Sequence, residues 1–263
     1  MEDDSVRCRT TNARDEQAGG IRHLAVLSAL AEAGTALTLN EIALAVGVPR
    51  PSVHRLLGAL VQQRWLTVHG SPRRYAPSWK VVELGFQVAR RNRVREVLTQ
   101  AAMNLAASVR SRSYVAFYED GDVVFTDCVD VRGEQLMPLL MGLRLPAAIN
   151  VCGRTLLTFQ SAEEIERALC RELPQMTERT ITSKQEIMNR LTIVRQRGYD
   201  VMDRENTPGV SGVAVPVFDS SREAIAALGV LIPGQLREEA VDRLLDPTLR
   251  VAQQASADLG GQL

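Results

Sequence analysis

The feature that most constrains this chain is a pair of helical patterns separated by only four residues. A capping box, Thr38-Leu-Asn-Glu41, predicts the start of the first helix, because its hydroxyl and carboxylate satisfy backbone N–H groups that a first turn leaves free. This helix is expected to end at Gly47. Pro51 fits the first turn of the next helix, where a missing N–H costs nothing. The spacing therefore predicts two short helices joined by a tight turn.

The second of these helices has two contrasting faces. One face is a continuous apolar stripe at helical spacing, formed by Val53, Leu56, Leu57, Leu60 and Val61. The opposite face carries short, polar or basic residues: Ser52, His54, Arg55, Gly58 and Ala59. A helix of this kind can pack its apolar side on a core and lay its slim side against a polar surface.

A third helical pattern over 21–33 precedes this pair, and a basic hairpin follows it. Two β-prone runs, 65–69 and 75–77, flank a Gly/Ser/Pro turn whose tip carries Arg73 and Arg74. Three helices and a hairpin in this order predict a winged helix-turn-helix. Its last helix would enter a DNA major groove about 12 Å wide, and the arginines of the wing would follow the backbone or the minor groove.

Local charge supports contact with DNA, although the 263-residue chain as a whole has zero net charge. Between positions 50 and 95 there are ten lysines and arginines and one acidic residue, a net charge of +9. Such a window is typical of a phosphate-binding surface. The predicted contacts to operator double-stranded DNA are Arg50, Ser52, His54, Arg55, Arg73 and Arg74.

The rest of the chain predicts an α+β fold of two domains. The expected divisions are a disordered arm over 1–18, the winged helix over 19–78, a linker helix over 79–92 and a second domain over 93–263. In the second domain, hairpins are expected over 113–129 and 210–232, a further edge strand over 135–141, and a C-terminal helix over 236–259 interrupted at Pro247. An antiparallel sheet with flanking helices suggests a ligand-sensing module.

Several classes of protein are disfavoured by what the sequence lacks. It has no secretory signal and no apolar run long enough for a membrane span, so a cytoplasmic location without membrane attachment is expected. Its cysteines (8, 128, 152 and 170) make no metal-ligand spacing, and no histidine follows position 69. We therefore expect no metal, no cofactor and no catalytic residues.

Motifs in both domains resemble one known family, the IclR-type bacterial transcriptional regulators. They are LTLNEIALAVGVPRPSVHRLLGAL in the first domain, RYAPSWKVVELG after it, and GLRLPAAINVCGRTLL, RQRGYDV, GVSGVAVPVFD and AALGVLIPG in the second. The resemblance covers about residues 20–260. It implies an N-terminal winged helix that binds an operator and a C-terminal GAF-like domain that binds a small-molecule carboxylate effector, in a homodimer or dimer of dimers. A catabolic operon is the implied target.

The resemblance also implies where the effector would bind. The candidate residues are Gly142, Pro146, Asn150, Val151, Asp203, Gly212, Gly229 and Leu231. Glycine or leucine stands at three positions, 212, 229 and 231, where family members that sense small acids have a cysteine and two hydroxyls. Because a small hydrated acid needs fixed donors, we expect a wider, more apolar pocket and a larger ligand, such as an aromatic or long-chain acid. Asn150 and backbone N–H groups would hold its polar end.

Two other functions stay open at this point. The winged helix could bind a protein instead of DNA, and the second domain could sense redox state through Cys128 or Cys152. The salt dependence of binding distinguishes DNA binding from protein binding, because phosphate contacts weaken steeply as the salt concentration rises while an apolar interface does not.

Overall fold

The computed structural model describes residues 20–131 and 141–261. The chain forms two compact units, and the boundary between them falls between Arg91 and Asn92. The arm predicted over 1–18 lies outside the described residues, as does most of the strand predicted over 135–141.

The first unit is a winged helix-turn-helix, as the sequence predicts. Its elements in chain order are α1 (20–33), β1 (Leu37–Thr38), α2 (Leu39–Val46), α3 (Arg50–Gln62), β2 (Leu66–His69), β3 (Arg74–Pro77) and α4 (Trp79–Arg90). The hairpin β2–β3 gains a third strand because β1 pairs with β3. That strand has only two residues, too few to show a sequence period.

The tight turn between α2 and α3 forms for the reasons the sequence gives. The Thr38 side chain accepts from the Glu41 N–H while the Glu41 carboxylate accepts from the Thr38 N–H, so the capping box is complete. Gly47 ends α2 with φ of 63°, a left-handed conformation that glycine adopts without strain. The apolar stripe of α3 is buried against α1, α2 and the wing, through Val53, Leu56, Leu57 and Leu60.

The second unit contains six strands and five α-helices among the described residues. They are α5 (Arg93–Val109), β4 (Arg112–Glu119), β5 (Asp122–Val129), β6 (Arg144–Pro146), α6 (Val151–Leu157), α7 (Ala162–Leu169), α8 (Lys184–Arg197), β7 (Asp200–Asp203), β8 (Val210–Phe218), β9 (Ala224–Pro233) and α9 (Glu238–Asp258). The predicted break before α5 is confirmed, because the Asn92 side chain caps that helix by accepting from the Arg95 N–H.

The strands form one antiparallel sheet in the order β6-β5-β4-β9-β8-β7. Alternate residues of β8 and β9 point to opposite faces. Val213, Val215 and Val230 pack with α5 and α9 on one face, whereas Ala214 and Ala227 pack with α6 on the other. We call these the α5/α9 face and the α6 face.

Two expectations for this unit need correction or completion. The C-terminal helix is continuous through Pro247 and is not interrupted there. Leu244, Thr248 and Ala252 are buried on both sides of the proline, so packing holds the two halves in line despite the lost hydrogen bond. The short strands β6 and β7 were not predicted, since three and four residues carry little pattern.

Candidate DNA-binding surface and effector site

The outer face of α3 is exposed within the part of the chain that the structure describes. His54, Arg55, Gly58 and Ala59 are exposed, and apart from the neighbouring backbone of α3 no described atom lies within 4 Å of the position that a Cβ on Gly58 would take. Because Gly58 and Ala59 are small, the helix is narrow one turn after the longer side chains of His54 and Arg55. The geometry therefore matches that of a helix able to enter a major groove.

The first turn of α3 places two more of the predicted contacts together. Arg50 is exposed at the start of the helix and Ser52 is half-buried in the same turn. Pro49, the N-cap residue, makes no side-chain capping hydrogen bond. The positive end of the helix dipole and the Arg50 charge thus act in the same direction, toward an anion.

The two arginines of the wing, Arg73 and Arg74, differ in their contacts with the rest of the protein. Arg73 is exposed in the turn between β2 and β3. Arg74 instead donates to the Ala36 carbonyl at 2.9 Å and lies 3.5 Å from the Glu41 carboxylate. Hydrogen bonds from Thr38, with a smaller contribution from Arg74, lower the pKa of Glu41. Arg74 therefore ties the wing to the start of α2, and Arg73 extends further toward solvent.

Two other basic residues of the positive window also have partners in the protein. The Lys80 ammonium donates to the Gln63 carbonyl at 2.9 Å and lies 4.5 Å above the Trp65 ring. Arg95 pairs with Asp127 at 2.6 Å. The charge available to phosphate is consequently smaller than the sequence count suggests.

Four of the eight predicted effector residues converge on the α6 face. Val151 and Leu231 are buried in its apolar cluster, and Gly212 and Gly229 lie on the strands beneath. The expected widening at the glycines is not found. A Cβ on Gly229 would lie 2.6 Å from the Tyr114 ring and 3.0 Å from the Cys152 sulfur, and one on Gly212 would lie 2.4 Å from the Val230 carbonyl oxygen.

Asn150 is buried at the start of α6 and acts as its N-cap. Its Oδ1 accepts from the backbone N–H groups of Cys152 and Gly153, at 2.9 and 3.4 Å. Its Nδ2 donates to the Asn206 side chain at 3.3 Å, and Asn206 in turn donates to the Ile149 carbonyl. The two asparagines thus connect α6 with the loop that follows β7.

Asp203 lies apart from this group. Its carboxylate accepts from Arg179, Arg204, Ser211 and the Leu236 N–H, at 2.6 to 3.1 Å. Hydrogen bonds from Arg204 lower its pKa to about 2. Because it bonds the side chain of Ser211, which has the same parity in β8 as Val213, Asp203 faces away from Gly212 and α6.

The remaining two predicted effector residues, Gly142 and Pro146, lie in the segment that precedes α6. Gly142 has φ of 86° and donates to the Phe125 carbonyl at 2.7 Å. Pro146 ends β6 opposite Asp122 and directly precedes the 3-10 turn Ala147–Ile149 that leads to Asn150. Both residues belong to the segment that positions the α6 N-terminus.

A buried ionic cluster behind α6 was missed by the sequence reasoning. Arg154 has no exposed surface, lies 2.7 Å from Asp200 and 2.8 Å from Glu205, and Arg190 joins Asp200 at 2.8 Å. Burial raises the pKa of Glu205. The available signal was a single arginine in the otherwise uncharged helix VCGRTLL, because a lone charge inside an apolar run must be paired.

Both candidate redox cysteines carry protonated thiols. Burial raises the pKa of Cys128 to about 12 and raises that of Cys152 further. Reaction with oxidants requires the thiolate. No group of three or more His, Cys, Asp or Glu within residues 20–131 and 141–261 could hold a metal ion. No helix in those ranges is long and apolar enough to cross a membrane.

Comparison with known proteins identifies the class to which this fold and surface belong. Residues 21–70 match the IclR helix-turn-helix domain and residues 86–257 match the bacterial transcriptional regulator IclR C-terminal domain. The two matches define a DNA-binding transcriptional regulator with a separate C-terminal domain. The chain belongs to the IclR family.

Individual relatives agree over most of the chain. The probable transcriptional regulator SauR of Cupriavidus necator is 29% identical over 240 residues, which are 89% of this chain and 94% of that protein. An IclR transcriptional regulator from Alicyclobacillus acidocaldarius superposes with a TM-score of 0.82 at 25% identity, over 93% of this chain and 99% of that one.

A second solved structure in the comparison contains a ligand. It is an IclR homologue from Microbacterium hydrocarbonoxydans in complex with 4-hydroxybenzoate, with a TM-score of 0.79 and 23% identity over 90% of this chain and 97% of that one. At this identity the likeness establishes the fold alone.

Proposed function

We propose that this regulator binds operator DNA through α3 and the wing, and that a small organic acid bound by the second domain changes its affinity for the operator. The observation that carries the DNA-binding part is the outer face of α3, where His54 and Arg55 stand exposed beside the small Gly58 and Ala59. Arg50, Ser52 and Arg73 would add phosphate contacts, and Arg74 would hold the wing in place.

Operator binding would use two copies of the chain. Helix α4 has no buried residue, yet Trp79, Val82 and Phe86 lie on one of its faces with 83%, 42% and 62% of their surface exposed. Exposed aromatic surface of this kind favours an interface. A homodimer formed through α4 would present two copies of α3 about 34 Å apart, one turn of DNA.

The effector is proposed to be an aromatic acid bound on the α6 face. Support comes from the buried apolar cluster that contains Val151 and Leu231, from the buried Asn150 at the start of α6, and from 4-hydroxybenzoate in a protein of the same fold. Since Tyr114 and Cys152 fill the space beside Gly229, the ring would lie between the start of α6 and Leu231. A ligand that prefers one arrangement of the domains shifts the population toward it.

Two assays test this function. Selection from a random duplex library should enrich two half-sites one helical turn apart, and binding of the enriched duplex should weaken steeply with salt. A thermal-shift screen of 4-hydroxybenzoate, benzoate, pyruvate and glyoxylate should show stabilisation by aromatic acids, about 2.7 kcal/mol at a hundredfold excess over the dissociation constant. Stabilisation by pyruvate or glyoxylate alone would refute the aromatic ligand.

Two further measurements would support the alternative functions, protein binding by the winged helix and redox sensing by a cysteine. Salt-insensitive capture of a protein, without duplex binding, would favour the protein-interaction module. Rapid modification of Cys128 or Cys152 by a thiol reagent in the folded protein would favour redox sensing. The raised pKa of both thiols leads us to expect modification only after unfolding.

A further inference from the structure

A cavity of about 310 Å³ lies where the end of α5, the end of β9 and the first turns of α9 meet. Its lining residues are Val109, Arg110, Ser111, Ile232, Pro233, Arg243 and Leu244. Ile232 has the same parity in β9 as Val230, so the cavity lies on the α5/α9 face, separate from the α6 face. None of the residues predicted to bind DNA or effector lines it. A space of this size can hold a small molecule.

The inner wall of the cavity is apolar and is held in place by the core. Leu244 is 1% exposed, and Val109 and Ile232 pack against the same hydrophobic cluster. The Ser111 hydroxyl donates to the Leu231 carbonyl at 2.6 Å, which ties the chain after α5 to β9. Because apolar surface gains free energy when it leaves water, such a wall favours a ligand with an apolar body.

Two arginines give the cavity its charge. Arg110 and Arg243 are exposed, and within the described part of the chain neither forms an ion pair or a side-chain hydrogen bond. The acidic residues of α9 within about one turn of Arg243 are Glu239, Asp242 and Asp246, and none of them lines the cavity. The lining therefore carries two guanidinium groups and no carboxylate.

The backbone of Arg110 gives a separate indication that its side chain has a use. Arg110 ends α5 with φ of 50° and ψ of 45°, in the left-handed region. Gly47 and Gly198 end α2 and α8 in the same region, which glycine adopts without strain. An arginine at such a position carries strain that glycine would avoid, and strain of this kind concentrates at functional sites.

We propose that this cavity is a binding site for a small dicarboxylate. Its apolar body lies on Val109, Ile232 and Leu244, and its two carboxylates accept hydrogen bonds from Arg110 and Arg243. A guanidinium group suits a carboxylate because two parallel N–H groups match the two oxygens. One carboxylate for each arginine also balances the charge of the lining. This site is additional to the effector site on the α6 face and does not depend on it or on DNA binding.

The first test is methyl NMR of the full-length chain labelled at the isoleucine δ1 methyl groups. Ile232 lines the cavity, Ile149 directly precedes Asn150 at the start of α6, and Ile42 lies in the core of the first unit. Titration with isophthalate should shift the Ile232 methyl signal and leave that of Ile42 unchanged. Benzoate, with one carboxylate, should act on Ile232 at least about fivefold more weakly.

The isoleucine signals distinguish this site from the effector site. A shift of Ile149 without a shift of Ile232 would overturn the dicarboxylate site while supporting a ligand on the α6 face. A shift of Ile232 alone would support the dicarboxylate site and would leave the proposed effector site to its own assay. Equal affinities of benzoate and isophthalate at Ile232 would contradict the role of two arginines.

The second test removes the arginines one at a time. Arg110→Gly suits the left-handed backbone, so the variant should keep the melting temperature of the wild type while its affinity for isophthalate falls about tenfold. Arg243→Gln should weaken binding to a similar extent. Arg250→Gln, on the same helix but outside this cavity, is the control and should bind as the wild type does. Unchanged affinity in Arg110→Gly together with a lower melting temperature would limit Arg110 to a role at the helix end, and unchanged affinity in both variants would overturn the proposal.

Discussion

Arg55 is the residue on which base recognition is expected to depend most. Arg55 is exposed on the outer face of α3. Arg74 of the wing, in contrast, already contacts Ala36 and Glu41 within the protein. We expect Arg55→Ala to weaken binding to the selected duplex by about 1–3 kcal/mol and to relax preference at one base position. Anisotropy titrations measure this, with Gln62→Ala at the end of the same helix as control. Equal affinities would move base recognition to another side chain.

Gly229 is expected to be required for packing and not for pocket width. Its missing Cβ would meet the Tyr114 ring at 2.6 Å and the Cys152 sulfur at 3.0 Å. Overpacking of this kind costs about 1–3 kcal/mol, so Gly229→Ala should lower the melting temperature of the second domain. Gly58→Ala, on an exposed helix face with open space around it, is the control and should not destabilise the protein. An unchanged melting temperature for Gly229→Ala would indicate an open pocket there.

Asp203 should make stability depend on pH in the acid range. Its folded-state pKa of about 2 lies below the ordinary value, so the ionised carboxylate stabilises the fold above about pH 4 and this contribution is lost as pH falls toward 2. Asp203→Asn should lose about 1–2 kcal/mol at pH 7, after allowance for solvent screening. The difference from wild type should shrink between pH 4 and pH 2 in urea melts. A constant difference would assign the effect to packing.

For single residues, the sequence predicts which side chains are exposed better than it predicts which groups those side chains contact. Exposure of His54 and Arg55 follows from a helical period that buries their neighbours. Glu41 lies 33 positions from its partner Arg74, Glu205 lies 51 positions from Arg154, and the Leu236 N–H that Asp203 accepts from lies 33 positions away, so no local pattern specifies these contacts. The filled space at Gly229 has the same origin, because Tyr114 and Cys152 come from other elements.

Helices and strands that have capping residues or a long run of periodic apolar residues could be predicted from the sequence. Very short strands could not. The capping box before α2, Gly47 after it and Asn92 before α5 each specify a boundary through local hydrogen bonds or backbone freedom. Strands β1, β6 and β7 form because a neighbouring strand offers a free edge. Helix α9 continues through Pro247 because tertiary packing outweighs a local preference.

Helix α4 is the element expected to couple two copies on DNA. Phe86→Glu would place a charge in the apolar face formed with Trp79 and Val82. We expect the variant to lose more than about tenfold in affinity for a duplex with both half-sites, while affinity for a single half-site is unchanged. Gln87→Glu, on another side of the helix, is the control. If both duplexes bind as they do to wild type, dimerisation uses a different element.

At the scale of the whole molecule, the fold and family could be recognised from sequence because two domains carry matching motifs in the same order. The effector could not be derived, since its site depends on side-chain packing across β4, β9 and α6. We propose that occupancy of the second domain by its ligand alters DNA binding by the first. By linkage, an acid that favours one arrangement must change operator affinity, and operator DNA must change affinity for the acid by the same factor.

The most direct measurement is the affinity of the full-length protein for its selected duplex, with and without saturating 4-hydroxybenzoate, at two salt concentrations. We expect sequence-specific binding that weakens steeply with salt. We also expect the acid to shift the dissociation constant by about fivefold or more, in either direction. Equal binding to selected and scrambled duplexes would contradict DNA recognition. Specific binding that no tested acid alters would contradict effector control by this class of ligand.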